Sequence, residues 1–133
     1  MMRRIARKAL REKQRLLEHP AVQAFLVSFV LAEDVYVSLR KKHLQAIGRE
    51  VPARVPLHVI AIENTLAYYN LSFDDVRTVF GTHDASTYRM MRNRIMHGAS
   101  VSVMQRVIET WDEVSTVYEA FFDAVFSRFE TRV

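Results

Sequence analysis

The 133-residue chain contains no cysteine, only three glycines and only three prolines. Without cysteine there can be no disulfide framework, thiolate zinc site or cysteine nucleophile. Because glycine and proline are the commonest punctuation between helices or strands, their scarcity predicts few breaks in the chain. The length fits one domain, residues 1–133, which is large enough to bury a core without a structural metal.

The chain also lacks a long apolar run. The longest one extends from Ala21 to Ala32 and is interrupted by Gln23 and Ser28, whereas a membrane-spanning helix needs about 20 apolar residues. The basic N-terminus is not followed directly by an apolar run with a small-residue cleavage site, as a secretory signal would be. These features predict a cytoplasmic protein that does not associate with a membrane.

Positive charge is concentrated at the N-terminus. Residues 1–18 carry seven basic and two acidic side chains, whereas the rest of the chain carries 12 basic and 13 acidic ones. We expect residues 1–18 to form a basic helix. This basic arm has two interpretations: it attracts phosphate groups, or it is simply a solvated, charged helix.

Apolar residues recur at spacings of three and four, with no competing strand-like alternation. This pattern predicts an all-α fold, an up-and-down bundle of about five to six helices. Beyond the basic helix we expect helices over residues 20–47 (closed by Gly48), 56–70, a short stretch between Ser72 as N-cap and Gly81, 84–97 (capped by Gly98) and 101–129.

The last predicted helix carries an apolar seam of coiled-coil type. Its members are Val107, Trp111, Val114, Tyr118, Phe121 and Val125. Phe122 and Phe126 lie off this seam and indicate a second apolar face, and so a partner.

The segment Arg92-Asn93-Arg94-Ile95-Met96-His97-Gly98 carries the residues best suited to chemistry. On a helix, Tyr88, Met91 and Ile95 form a core-facing stripe with Arg92 beside it, while Asn93 and His97 share another face. Guanidinium is a permanent planar cation that matches phosphate, and imidazole exchanges protons near neutral pH. The combination suits a phosphodiester substrate, and an ordinary charged helix surface is the alternative.

This segment resembles the signature of the HEPN superfamily, in which an arginine, often followed by asparagine, precedes a histidine by four to six intervening residues. Here four residues separate Arg92 from His97, and the motif lies late in the chain before a long helix, as in that family. The resemblance implies a HEPN-like fold and an endoribonuclease that cleaves single-stranded RNA without a metal. In that reaction the 2′-hydroxyl attacks the adjacent phosphate and leaves a 2′,3′-cyclic phosphate. It also implies a homodimer with a composite site, acting as a toxin or phage-defence effector.

By position, the resemblance gives His97 the proton transfer, Arg92 the clamping of the anionic transition state and Asn93 an orienting role. Arg89 and Arg94 are expected to bind the substrate. The displacement needs a base for the attacking hydroxyl and an acid for the leaving oxygen, and a two-fold pair of chains supplies two histidines. The remaining histidines lack metal-ligand spacing, so no metal or cofactor is expected.

Two carboxylates interrupt the apolar rhythm of the helix predicted over residues 20–47. A buried carboxylate is costly unless it is paired. We therefore expect Glu33, and after it Asp34, to orient Arg92 or His97 from this neighbouring helix. The alternative is that the rotation of the helix exposes one of them to water.

Some toxins of the family carry a tyrosine two residues after the motif histidine, which a partner nucleotidyltransferase modifies. Ala99 occupies that position here, so an antitoxin or nucleotidyltransferase partner would have to act by another route. The competing function is a non-catalytic protein-interaction or RNA-binding module of HEPN fold. It is favoured by the second apolar face and by the absence of another basic cluster near the motif in the sequence.

Overall fold

The computed structural model describes residues 2–129, and the ends of the predicted domain, residue 1 and residues 130–133, lie outside them. The described chain is helical and contains no strand, which confirms the all-α bundle. Its helices are α1 (Met2–Leu17), α2 (Pro20–Ala46), α3 (Val59–Tyr68), α4 (Val76–Phe80), α5 (Tyr88–Met96), α6 (Val101–Glu109) and α7 (Trp111–Phe129).

Helix α2 is the centre of the bundle and packs against α1, α3, α5, α6 and α7. It begins as predicted at Pro20, where the Nδ1 atom of His19 accepts a 3.0 Å hydrogen bond from the Ala21 amide. It ends beside Gly48, whose φ of 71° lies in the left-handed region that glycine adopts without strain. The inward side of α2 supplies much of the core, including Phe25, Phe29 and Tyr36.

By length and composition alone, α2 is the one described helix that could cross a membrane. The central helix of a folded bundle satisfies the same criterion, since its inward side must be apolar. The outward side of α2 is also partly apolar, because Val27, Val30 and Leu31 are each about half exposed. Phe126 of α7 is exposed as well, and its ring stacks on Phe122.

The single last helix predicted over residues 101–129 is wrong, because the chain breaks at Thr110 into α6 and α7. This break raises the described total to seven helices. The Thr110 hydroxyl donates a 2.7 Å hydrogen bond to the carbonyl of Arg106, one turn earlier. Such back-bonding bends helices. The predicted seam survives the break: Val107, Val114, Tyr118, Phe121 and Val125 are buried, and Trp111 is half-buried.

Helix α5 begins at Tyr88 and not at Asp84, so its predicted start is wrong. The Asp84 carboxylate accepts hydrogen bonds from the amide and hydroxyl of Ser86, which closes a local turn before the helix. These bonds hold the pKa of Asp84 below its usual value. Thr87 is the N-cap, and its hydroxyl accepts a bond from the Met90 amide.

Two other helix starts also differ from the prediction. Helix α3 begins at Val59 and not at Pro56: its N-cap His58 is extended, and the carbonyl of Leu57 accepts a hydrogen bond from Arg89. The short helix α4 has Asp75 as its N-cap, and not Ser72.

Candidate active site and an arginine-lined cleft

Helix α5, which carries the motif, is fixed in the bundle by the predicted core stripe. Tyr88, Met91 and Ile95 are all buried. The Tyr88 ring lies 6.0 Å from the ring of Phe25 and 5.4 Å from that of Tyr118. Burial raises the pKa of Tyr88 to about 12, so its hydroxyl stays protonated at neutral pH. The helix that carries the motif is therefore anchored in the core by three buried side chains.

Arg92 lies against the core rather than on the open surface. It is half-buried, and its guanidinium carbon is 4.5 Å from the centre of the Phe29 ring. This is the geometry of a cation–π contact. The Nε atom of Arg92 is buried without a hydrogen-bond partner within the described chain, although a buried donor normally has one.

His97 does not continue α5 as predicted, because the helix ends at Met96 and His97 is its C-cap. The backbone amide of His97 donates to the carbonyl of Asn93 at 2.9 Å, while the imidazole is exposed and makes no hydrogen bond within residues 2–129. Asn93 is half-buried, and the side chain of Met96 is 63% exposed. The C-terminal end of α5 therefore presents two exposed side chains, Met96 and His97, next to each other in the chain.

Gly98 does not supply the left-handed residue that ends α5, so its predicted capping role is wrong. The residue with positive φ is Ala99, at 47°, and its amide donates to the carbonyl of Ile95. The carbonyl of Gly98 instead accepts a 2.8 Å hydrogen bond from the side chain of Lys13. Helix α1, the predicted basic arm, is therefore tied to the residue that follows His97.

A cleft of about 1260 Å³ opens on the side of α5 where Arg92 lies. Five arginines line it, and Glu33 is its one carboxylate. The arginines come from four separate segments: Arg40, Arg54, Arg77, Arg89 and Arg92. The motif therefore has a second basic cluster beside it in the fold. Along the chain no second basic cluster lies near the motif, whereas tertiary packing brings arginines from three other segments to it. Spacing along the chain holds no signal for it, since Arg40 and Arg92 are remote in sequence.

Two of these arginines make hydrogen bonds to neighbouring groups of the protein. The Nη1 atom of Arg89 donates a 2.7 Å hydrogen bond to the carbonyl of Leu57. The Nη1 atom of Arg40 lies 3.3 Å from the hydroxyl of Thr65, which is also 3.1 Å from Nδ1 of His43. Both guanidinium groups are thereby positioned before any ligand arrives.

The structure separates the predicted site residues into two groups. Arg89, Arg92 and Glu33 line the cleft, whereas Asn93, Arg94, His97 and Asp34 do not. Glu33 is half-buried but makes no ion pair or hydrogen bond with Arg92 or His97 in the described chain. Asp34 and Arg94 are exposed. One protomer therefore offers a guanidinium in the cleft and an imidazole outside it.

The described residues contain no group of three or more histidine, aspartate or glutamate side chains that could hold a metal ion. The groups in this arrangement that could take part in chemistry include the arginines of the cleft and the exposed imidazole of His97. No known protein-family model, curated protein or solved structure matches the chain.

Proposed function

We propose that the chain is a metal-independent endoribonuclease of HEPN type that cleaves single-stranded RNA. The proposal is supported above all by the arrangement of two side chains with different chemical roles on α5. This one helix, anchored in the core, presents a positioned guanidinium at Arg92 and, one residue past its end, the imidazole of His97, which makes no hydrogen bond within residues 2–129. An anion clamp and a proton-transfer group are the two functions that phosphodiester cleavage needs from side chains.

In the proposed reaction the ribose 2′-hydroxyl attacks the adjacent phosphorus as one imidazole removes its proton. The bond between phosphorus and the 5′-oxygen breaks, and a second imidazole protonates that oxygen. The products are a 2′,3′-cyclic phosphate and a 5′-hydroxyl. Arg92 stabilises the charge on the non-bridging oxygens, and Arg89 and Arg94 bind flanking phosphates.

Because this reaction uses two imidazoles, we propose that two copies of the chain form one composite site as a homodimer. Exposed apolar surface supports this assembly: Met96 is 63% exposed beside His97, although methionine is usually buried. A two-fold contact at the end of α5 would cover Met96 of both copies and bring both His97 side chains to one axis. Asn93 lies on the same helix and would orient the imidazole or the phosphate.

The proposed setting is the cytoplasm, where the enzyme acts as a toxin or phage-defence effector. The basic helix α1 supports an RNA substrate, since Arg4, Arg7, Lys8, Arg11 and Arg15 are all exposed. An unrestrained ribonuclease harms its own cell. The proposal therefore includes an antitoxin, or a nucleotidyltransferase, that restrains it.

The test is cleavage of a single-stranded RNA by the purified protein in EDTA, with analysis of the product ends. Wild type is expected to leave 2′,3′-cyclic phosphate. His97→Ala is expected to lose roughly 10² to 10⁴-fold of the rate, the usual range for a lost proton-transfer group. Gln45→Ala, an exposed change at the far end of α2, is the control and should cleave like wild type. Equal cleavage by His97→Ala would overturn the proposal.

The second candidate function is a non-catalytic protein-interaction or RNA-binding module. One observation favours it: within a single protomer Arg92 lies in the cleft while His97 lies outside it. If folded, dimeric wild type leaves RNA intact in EDTA and with added divalent ions, this function replaces the first.

A further inference from the structure

The arginine-lined cleft has features that RNA cleavage by α5 does not use. Three of its five arginines, Arg40, Arg54 and Arg77, belong to α2, to the segment between α2 and α3, and to α4. At about 1260 Å³ the cleft has room for a small-molecule ligand. The charge of the lining, the arrangement of the arginines and the other side chains of the wall each indicate what kind of ligand would bind.

The charge in the cleft is unbalanced. Five arginines and one carboxylate residue, Glu33, line the cleft, and no ion pair joins Glu33 to any of the arginines within residues 2–129. Guanidinium stays charged at every physiological pH, so the groups repel one another across the cleft. A bound anion with several negative charges would relieve this repulsion, which makes the ligand anionic and multiply charged.

The geometry favours a compact anion. The arginines come from four segments of the chain and line one cleft. Arg40, Arg89 and Arg92 are half-buried in it, and Arg54 and Arg77 are exposed at it. Arg89 and Arg40 are positioned by their bonds to Leu57 and Thr65, and Arg92 by the Phe29 ring. Each guanidinium keeps N–H donors that are not used by those contacts. Pre-positioned guanidinium groups suit bidentate binding of phosphate oxygens.

The lining argues against RNA bases as the occupant of the cleft; in the proposed cleavage only phosphates of the RNA contact Arg89 and Arg92. Non-specific sites for single strands combine basic grooves with aromatic side chains on which bases stack. The aromatic side chains in this lining are two exposed histidines and Phe80, which is fully buried, and no tyrosine or tryptophan of the described chain belongs to it. The remaining wall combines aliphatic side chains, such as Val55 and Ile60, with the polar Asn64 and Thr82. The lining therefore suits phosphate groups better than it suits bases.

We propose that the cleft is a binding site for a compact oligophosphate, either inorganic or the phosphate chain of a nucleotide. This inference does not depend on RNA cleavage. Because Arg92 lines the cleft, a bound oligophosphate would also occupy the group proposed to clamp the scissile phosphate.

Calorimetric titration of the full chain with inorganic tripolyphosphate, at physiological salt and without metal, tests the site. Wild type should bind saturably, and Arg77→Gln should weaken binding on the order of tenfold or more, the value of one charge-assisted hydrogen bond. Arg128→Gln removes the same charge from an exposed position outside the cleft and should change affinity less than about twofold, as screened charges do. Arg54→Gln should repeat the loss if Arg77→Gln fails to fold.

Titrations with ATP, orthophosphate and a short RNA then show which kind of molecule supplies the phosphate groups that the cleft binds. ATP binding as tightly as tripolyphosphate, with orthophosphate much weaker than both, supports recognition of the phosphate chain whichever molecule carries it. Equal weakening by Arg77→Gln and Arg128→Gln would reduce the binding to diffuse attraction and overturn the proposal. Arginine-dependent binding of a short RNA, without binding of tripolyphosphate, would overturn it too, because the cleft would then be an RNA groove. Cleavage assays on the same variants report on the nuclease separately.

Discussion

The side chain of Lys13 donates a 2.8 Å hydrogen bond to the backbone carbonyl of Gly98, the residue that follows His97. This bond joins the basic helix α1 to the end of α5. It also places a cation at the C-terminal end of a helix, where the helix dipole favours positive charge. The basic helix α1 and the end of the motif helix α5 are therefore in direct contact.

Lys13→Met is expected to lower the free energy of unfolding by about 0.5–1 kcal/mol, because an exposed, charge-assisted hydrogen bond is lost. Lys8→Met removes the same charge from an exposed position of α1 that makes no such bond. It should leave stability nearly unchanged. Urea unfolding of both variants checks this, and an equal loss in the two would show that charge alone accounts for the effect.

Arg92→Met separates stability from function. The change removes a cation–π contact with Phe29, worth about 0.5–1 kcal/mol, and also removes the unpartnered buried Nε atom, which costs about 1–3 kcal/mol. We therefore expect no net loss of stability in urea unfolding, together with a fall in RNA cleavage on the order of 10² to 10³-fold.

The control for that experiment is Arg128→Met, which removes an exposed arginine of α7. It should retain both stability and cleavage. A marked loss of stability in Arg92→Met alone would show that Arg92 is primarily a structural residue, and the assignment of the anion clamp would be wrong.

Much of the fold follows from sequence pattern, since apolar spacing and proline or glycine positions report burial and helix ends directly. The stripe of Tyr88, Met91 and Ile95 and the start of α2 at Pro20 are examples. The break at Thr110 had a usable signal: Thr110 followed three residues later by Glu113 has the spacing of a capping box.

The candidate site was only partly predictable. Helical spacing correctly put Arg92 beside the core stripe, but it could not show that the Phe29 ring would receive its guanidinium. The cleft depends on tertiary packing that brings Arg40, Arg54 and Arg77 to α5. Residues that meet only through packing leave no pattern along a single chain.

His43 gives the fold a dependence on pH. Burial, and secondarily the neighbouring Arg40, lowers the pKa of His43 below its ordinary value of 6.5. The imidazole stacks on Tyr68 and is hydrogen-bonded to Thr65. Its stabilising effect is complete above pH 6.5. It declines as the pH falls below 6.5, because the unfolded chain then takes up a proton that the folded chain does not.

His43→Gln should therefore show a smaller loss of stability than wild type between pH 6.5 and pH 5, the side of the ordinary pKa on which the loss occurs. Urea unfolding at a series of pH values measures the slope. His58→Gln, which makes the same replacement at an exposed position, is the matched control. An unchanged slope in His43→Gln would mean that another group carries the dependence.

The central claim is that two copies of the chain complete one active site. RNA cleavage should be measured in mixtures of wild type and His97→Ala at constant total protein, after subunits have exchanged. If both imidazoles are needed, activity follows the square of the wild-type fraction and falls to about one quarter in an equal mixture. A linear decline to about one half would contradict the composite site, because each wild-type chain would then cleave RNA by itself.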